Sequence, residues 1–196
     1  MKKTNPKPLK IIIDKDTNYI IEKPGNYAFE IVTEGINLDI FSALQAKGDK
    51  TVELNVLIHH QVPNTTAQTT LKAVGFDQST LVMKAKILID PGCHQTESFL
   101  TERALLVSKN AHALAVPDLE ILTDDVKCSH GCTIGQFDED ALFYLRSRGI
   151  GLKEAQALLM YAFANTVLET VKIPELKRRI NNLIAEKIGV NIGFDI

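Results

Sequence analysis

The chain reads as a mainly β body followed by a small α-helical region, on three observations. Strand-length, β-branched apolar runs recur from residue 9 to about residue 126. Short polar turns carrying Gly and Pro separate them at near-regular spacing, and beyond Gly135 the pattern becomes that of amphipathic helices. At 196 residues and 45% hydrophobic content the chain can bury a full core in one domain. A formal net charge of -2 gives no reason to expect nucleic acid or an anionic membrane as partner. No apolar run approaches the roughly 20 residues of a spanning helix, and residues 1–10 are polar and basic without the apolar centre of a signal peptide, so a cytoplasmic protein is expected. Three cysteines, two of them in one motif, do not make a secreted disulfide framework, and free or metal-bound thiols are expected instead.

Strands are expected at residues 11–13, 27–33, 38–41, 52–59, 69–74, 81–89, 104–107 and 119–122, with breaks at Pro24-Gly25, Lys47-Gly48-Asp49, Pro63-Asn64, Asp77-Gln78 and Pro91-Gly92. Val52, Leu54, Val56 and Ile58 alternate with Thr51, Glu53, Asn55 and Leu57, while other runs are apolar more continuously. This spacing suits a sandwich, a barrel or a coiled β-solenoid, and periodicity does not choose among them. After the strands, Asp138 is placed to cap a helix through Arg148, with Glu139 and Asp140 in its first turn and Gly149 past its end. A second helix begins near Gly151 with Ala155, Leu158, Leu159, Ala162, Phe163, Thr166 and Val167 on one face. A third starts at Pro174 and stops at Gly189, and its Lys177, Arg178 and Arg179 read as a solvated face. The expected division is a β core over residues 1–134, with residues 1–27 as its N-terminal cap, and a helical domain over residues 135–196.

Chemistry concentrates in one place. If residues 127–133 are extended, Cys128, His130 and Cys132 project to one face, because side chains two apart on a strand share a side. Two thiolates and an imidazole suit iron, zinc or copper(I). Cys93 is a further candidate ligand; Lys127 would point to the opposite face. His59 and His60 adjoin a turn, lack ligand spacing and read as surface or satisfied polar positions, and His94 and His112 carry less signal still. Arg146 and Arg148, two apart on a helix, diverge, so one is expected in solvent and one to hold the helices to the β body. No Gly-rich phosphate loop and no Gly-x-Ser-x-Gly elbow occurs. Asp124 and Asp125 are adjacent and would face opposite ways on a strand, which weakens a reading as paired carboxylates of a polysaccharide-cleaving β-helix.

The string DDVKCSHGCTIGQFDEDALFYLRSRGI at residues 124–150 closely resembles the signature of the SufB/SufD scaffold family of iron-sulfur cluster assembly, in particular its SufD branch. Residues 60–66 (HQVPNTT), 86–96 (KILIDPGCHQT), 105–109 (LLVSK) and 117–121 (PDLEI) agree with it, and the resemblance runs from Val52 to Val171. It implies a right-handed parallel β-helix core followed by a small C-terminal α-helical domain. It implies a non-enzymatic scaffold subunit that pairs through its β-helix with a SufB-like chain or a second copy of itself, and docks a SufC-like ABC ATPase with its helices. Phe143, Tyr144, Arg146 and Arg148 fall at or near that docking surface. His130 matches the histidine assigned to the shared interface and Cys128 the cysteine two residues before it. No tightly bound cofactor is implied, only a transient iron-sulfur cluster or iron.

Two departures stand against the pattern. Family members are usually longer, with an N-terminal helical domain and more coils, so surfaces used elsewhere in such a complex would be missing here. Cys132 and Cys93 stand where the family commonly has alanine. Two alternatives stay open: a structural zinc module held by Cys128, His130, Cys132 and Cys93, or a degenerate paralogue that keeps the interaction surfaces without cluster chemistry.

Overall fold

The computed structural model describes residues 7–170 and Arg178. Ten strands are followed by two helices: β1 (Leu9–Ile13), β2 (Thr17–Ile21), β3 (Gly25–Ile31), β4 (Asn37–Ala46), β5 (Thr51–His60), β6 (Thr66–Gly75), β7 (Thr80–Ile89), β8 (Glu97–Leu106), β9 (His112–Ile121), β10 (Lys127–Gln136), α1 (Glu139–Ser147) and α2 (Leu152–Thr170). Odd strands form one sheet in the order β1-β3-β5-β7-β9, and even strands a second in the order β10-β8-β6-β4-β2. Every pairing is parallel. The chain therefore coils, laying one odd and one even strand per turn, and of the three architectures left open by periodicity it adopts the β-solenoid. The third helix expected from Pro174, with Lys177 and Arg179, lies outside the described residues, as do residues 1–6 of the proposed cap.

Registration of the coils rests on the corners. Asn64, Gln95 and Asp125 hold positive φ of 54°, 55° and 52°, in line with Gly35 at 77°. These left-handed corners stack, Gly35 N–H donating to the Asn64 carbonyl at 3.0 Å, Asn64 N–H to that of His94 at 2.9 Å, and Gln95 N–H to that of Asp125 at 2.7 Å. Gly and Asn or Asp reach this conformation at least cost. At another corner the Asp77 carboxylate accepts from the Gly48 N–H, and the Ser108 hydroxyl from the Asp77 N–H, each at 2.8 Å. These contacts link residues 29 and 31 apart, one coil on.

Alternation decides what lies inside. Leu54, Val56 and Ile58 of β5 stack beside Met83, Ala85 and Ile87 of β7 and face Leu38, Ile40 and Leu44 of β4 and Ala67, Leu71 and Ala73 of β6 across a dry core. The outer face of the odd sheet is charged instead: Lys10 pairs with Glu30 at 2.7 Å, and Lys86 with Glu120 at 2.5 Å. The even sheet is covered. Val74 and Leu105 on its outer face pack with Ala157 and Met160 of α2, flanked by Phe76, Val107, Phe137 and Phe163. Lys72 lies 5.1 Å from the Phe163 ring centroid and donates to the Phe163 carbonyl at 2.5 Å.

Three expectations need correction. Strands run longer than their apolar runs: β8 begins at Glu97 and β9 at His112, where Glu, Ser, Thr or His interrupt the pattern, and β2 was not anticipated. Parallel pairing on both sides carries these polar residues into the ladder. On α2, Ala155, Ala157 and Met160 are buried while Ala162 is exposed, so the buried face is rotated from the expected one. Finally, neither Arg146 nor Arg148 holds the helices to the β body. Both are exposed, and Arg148 lies over the Tyr144 ring at 5.0 Å. α2 docks through apolar Ala157 and Met160 and through Lys72 of β6, which donates to the Phe163 carbonyl.

Phe29 is fully buried and makes an edge contact with Tyr19 at 5.0 Å. Phe29→Ala is expected to cost about 3–5 kcal/mol in denaturant unfolding, whereas Leu114→Ala, at a half-exposed position, should stay within about 0.5 kcal/mol.

Candidate functional site

β10 is the last strand of its sheet and β9 the last of the other. Register with β8 places Cys128 beside Ser98, His130 beside Leu100 and Cys132 beside Glu102. Ser98, Leu100 and Glu102 are all buried. Their partners on β10 thus carry the inward face of the solenoid one coil further, to where no described coil covers it, and His130 and Cys132 are exposed. Opposite them β9 presents Ala113, Ala115 and Leu119, half-buried at the rim of the core. Pro117 lies within β9, a residue tolerated on an edge strand because an edge has no ladder bond to lose there.

The three candidate ligands are not equivalent. Cys128 packs against the core, and burial pushes its thiol up, with a hydrogen bond from the Ser98 backbone acting the other way. Burial of this kind disfavours its thiolate form. Cys132 is exposed. Lys127 is bound to Glu97 at 2.6 Å, so it serves neither thiol.

Glu102 was missed by sequence reasoning and is the least expected group here. It is fully buried, and neither carboxylate oxygen has a hydrogen-bond partner among the described residues. Burial pushes its pKa up from 4.5 to about 7. The available signal was parity: once β8 is taken back to Glu97, Glu102 falls in step with Ser98, Leu100 and Ala104 and must point inward.

Cys93 is buried, its Sγ 3.5 Å from the His60 carbonyl, and burial raises its thiol. His60 is a satisfied core histidine: Nδ1 meets the Thr65 hydroxyl at 2.7 Å and Nε2 the Ser98 hydroxyl at 3.1 Å. Burial lowers its pKa to about 4, aided by neighbouring His59. His59 Nε2 lies 2.9 Å from Asp90. Exposed His94 contacts Asp124 at 2.9 Å. Among the described residues no three of His, Cys, Asp or Glu are grouped to hold a metal ion, so Cys93, Cys128, His130 and Cys132 do not assemble into a zinc cage in this chain.

Beyond the solenoid, Asp138 caps α1, its Oδ1 accepting from the N–H groups of Asp140 at 2.9 Å and Ala141 at 3.3 Å, and Gly149 follows with φ 87°. No residue of α1 is buried; Phe143 is 73% and Tyr144 57% exposed, an aromatic pair left in solvent by this fold. Among the described residues no helix is long and apolar enough to cross a membrane.

The family profile described as "SUF system FeS cluster assembly, SufBD core domain" matches residues 25–163, most of the chain. The chain belongs to the SufBD family. It is 37% identical over 117 residues to the iron-sulfur cluster assembly protein SufD of Escherichia coli, covering 60% of this chain and 28% of that protein. To a SufBD family iron-sulfur cluster assembly protein of Synechocystis sp. it is 30% identical over 160 residues, 76% of this chain and 35% of the relative. To one of Mycobacterium leprae it is 35% identical over 105 residues, 53% and 27%. The chain thus spans a minor part of each of these curated relatives. The SufBD core match takes in β3 to β10, α1 and the start of α2, and with them the open end.

The buried acid predicts a pH signature. A carboxyl whose folded pKa lies above its unfolded value stays protonated in the fold while the unfolded chain ionises, so its contribution to stability falls as pH rises from about 4.5 to about 7. Glu102→Gln removes this, and the stability of the variant relative to wild type should grow over that window by about 2–3 kcal/mol, at about 1.4 kcal/mol per unit. Taking the difference cancels His60, which titrates alike in both proteins. Chemical denaturation at a series of pH values measures it, and a flat difference would contradict the buried, unpartnered carboxyl.

Proposed function

We propose that this chain is a non-enzymatic scaffold subunit of a SUF-type iron-sulfur cluster assembly complex, acting in the cytoplasm. The single observation that supports this best is the placement of Cys128, His130 and Cys132 on β10, the terminal strand of its sheet, paired on one edge only among the described residues of a SufBD-type solenoid. A strand edge with free N–H and C=O groups is a template for another strand. A second copy or a SufB-like chain that pairs there completes the ladder, covers the rim and brings its own groups opposite His130 and Cys128. The cluster or iron assembled between them is cargo, held transiently.

The second surface is α1. Phe143 and Tyr144 are exposed aromatics, and Arg146 and Arg148 flank them. Aromatic and arginine side chains of this kind dominate binding energy at protein interfaces. We assign them to docking of a SufC-like ATPase, whose nucleotide-driven movement would rearrange the paired ends and expose or close the cluster ligands. His130 is then a ligand at the interface, its exposed imidazole offering a nitrogen donor to iron.

Co-purification with a SufC-like ATPase tests this. Phe143→Ala with Tyr144→Ala should weaken the association by more than about tenfold without changing the unfolding temperature, since both side chains are exposed. His130→Ala should leave the association intact and lower cluster yield in a reconstituted assembly. No association of the wild-type chain, and no change in ATPase rate on mixing, would sink the proposal.

A further inference from the structure

Spacing separates the groups at the open end into those that can share an ion and those that cannot. Cys128, His130 and Cys132 are two apart along one strand, so successive members sit about 7 Å from each other. Donor atoms around one transition-metal ion lie about 3–4 Å apart, given bonds of about 2.0 Å to oxygen or nitrogen and 2.3 Å to sulfur. Neighbours across a ladder are nearer: side chains in register on adjacent strands start about 4.8 Å apart and point the same way. Cys128 has Ser98 as such a neighbour and His130 has Leu100, neither of them ionisable. Cys132 alone stands beside an acid, Glu102.

Glu102 is the second, independent observation. It points into the solenoid from the coil beneath, fully buried, with both oxygens unpartnered among the described residues. A buried polar group without a partner costs stability, and a buried carboxylate costs far more unless a cation meets it. Above it the only described layer is the last coil, where Cys132 is exposed and no described side chain closes the end.

We propose that Cys132 and Glu102 form a thiolate and carboxylate pair that holds a divalent iron-group cation at the open end of the solenoid. The thiol and the carboxyl each release a proton to solvent as the metal bonds form. Two donors from this chain agree with the absence of any group of three among the described residues, and the remaining positions belong to water or to the facing protomer. The scaffold function proposed above is what makes the cation iron cargo; the pair itself rests on register and burial. Cys132 then becomes a primary ligand, and Cys128, half-buried with a raised thiol, is left out of this pair.

Cobalt(II) alone is the probe, titrated anaerobically into the full chain and read by the thiolate-to-cobalt charge-transfer band. The wild-type chain should show the band. Cys132→Ser should abolish it, with folding unchanged because the side chain is exposed. Glu102→Gln should keep the sulfur band and weaken binding by about tenfold to a hundredfold, the scale of removing a group that supports a metal site. Cys128→Ser should keep the cobalt band, because the residue in register with Cys128 is Ser98 and not an acid. Absence of the band in the wild type, its survival in Cys132→Ser, or an affinity indifferent to Glu102→Gln overturns the proposal. Should Glu102→Gln fail to fold, the Cys132→Ser and Cys128→Ser pair still decides it. A chain that binds cobalt in this way yet ignores the ATPase would refute the scaffold reading and leave the pair standing; the reverse result would refute only the pair.

Discussion

The structure depends on one constraint: each coil is laid on the last in parallel and in register, so every inward side chain stands directly over another inward side chain. Corners make this possible. Asn64, Gln95 and Asp125 repeat the same left-handed turn, tied coil to coil by backbone hydrogen bonds, and leave no freedom for a strand to slip. A slip of one residue would turn Leu54, Val56 and Ile58 out to water and bring in Glu53 and Asn55, forfeiting several buried side chains at about 1.5–3 kcal/mol each. Register is therefore specified strongly, and whether a side chain faces in or out follows from strand parity.

That constraint is also what creates a site. A solenoid has no natural end, and the last coil must expose inward-facing residues unless something covers them. Elsewhere inside the molecule such positions are mostly apolar; at β10 they hold Cys128, His130, Cys132 and half-exposed Ile134. Among the described residues this chemistry sits on the exposed face of the last coil and not in a cleft lined for a small molecule. An uncovered edge of this kind is a hazard for aggregation unless it is paired or shielded.

How legible this was differs between levels. Body and helices were readable: β5 and β7 by alternation and continuous apolar runs, α1 by its Asp138 cap and Gly149 stop. Solenoid architecture was not readable from periodicity, because the coil-to-coil step of about 30 residues is carried by corner geometry and not by a repeated sequence motif. It came from the family resemblance. At the site, the shared face of Cys128, His130 and Cys132 was visible from strand parity, but their partners were not. Glu102 went unseen because its strand begins at polar Glu97-Ser98 and is broken again by Thr101-Glu102-Arg103, which does not look like the inside of a core. A buried charge depends on what lies across the ladder, and that is a tertiary fact.

Glu102 also bears on what stability can explain. Its neighbour in register one coil below is Leu71, fully buried, so the column accepts an apolar side chain of similar size. Filling the position with leucine would exchange an unsatisfied polar group for buried hydrocarbon, a change expected to stabilise the fold. His60 offers the contrast, since both of its ring nitrogens are met by hydroxyls and its burial is already compensated within the chain. Among the described residues the acid has no such compensation. Its position makes sense with the end of the solenoid filled, where a cation beside Cys132 would meet the carboxylate that no described group meets.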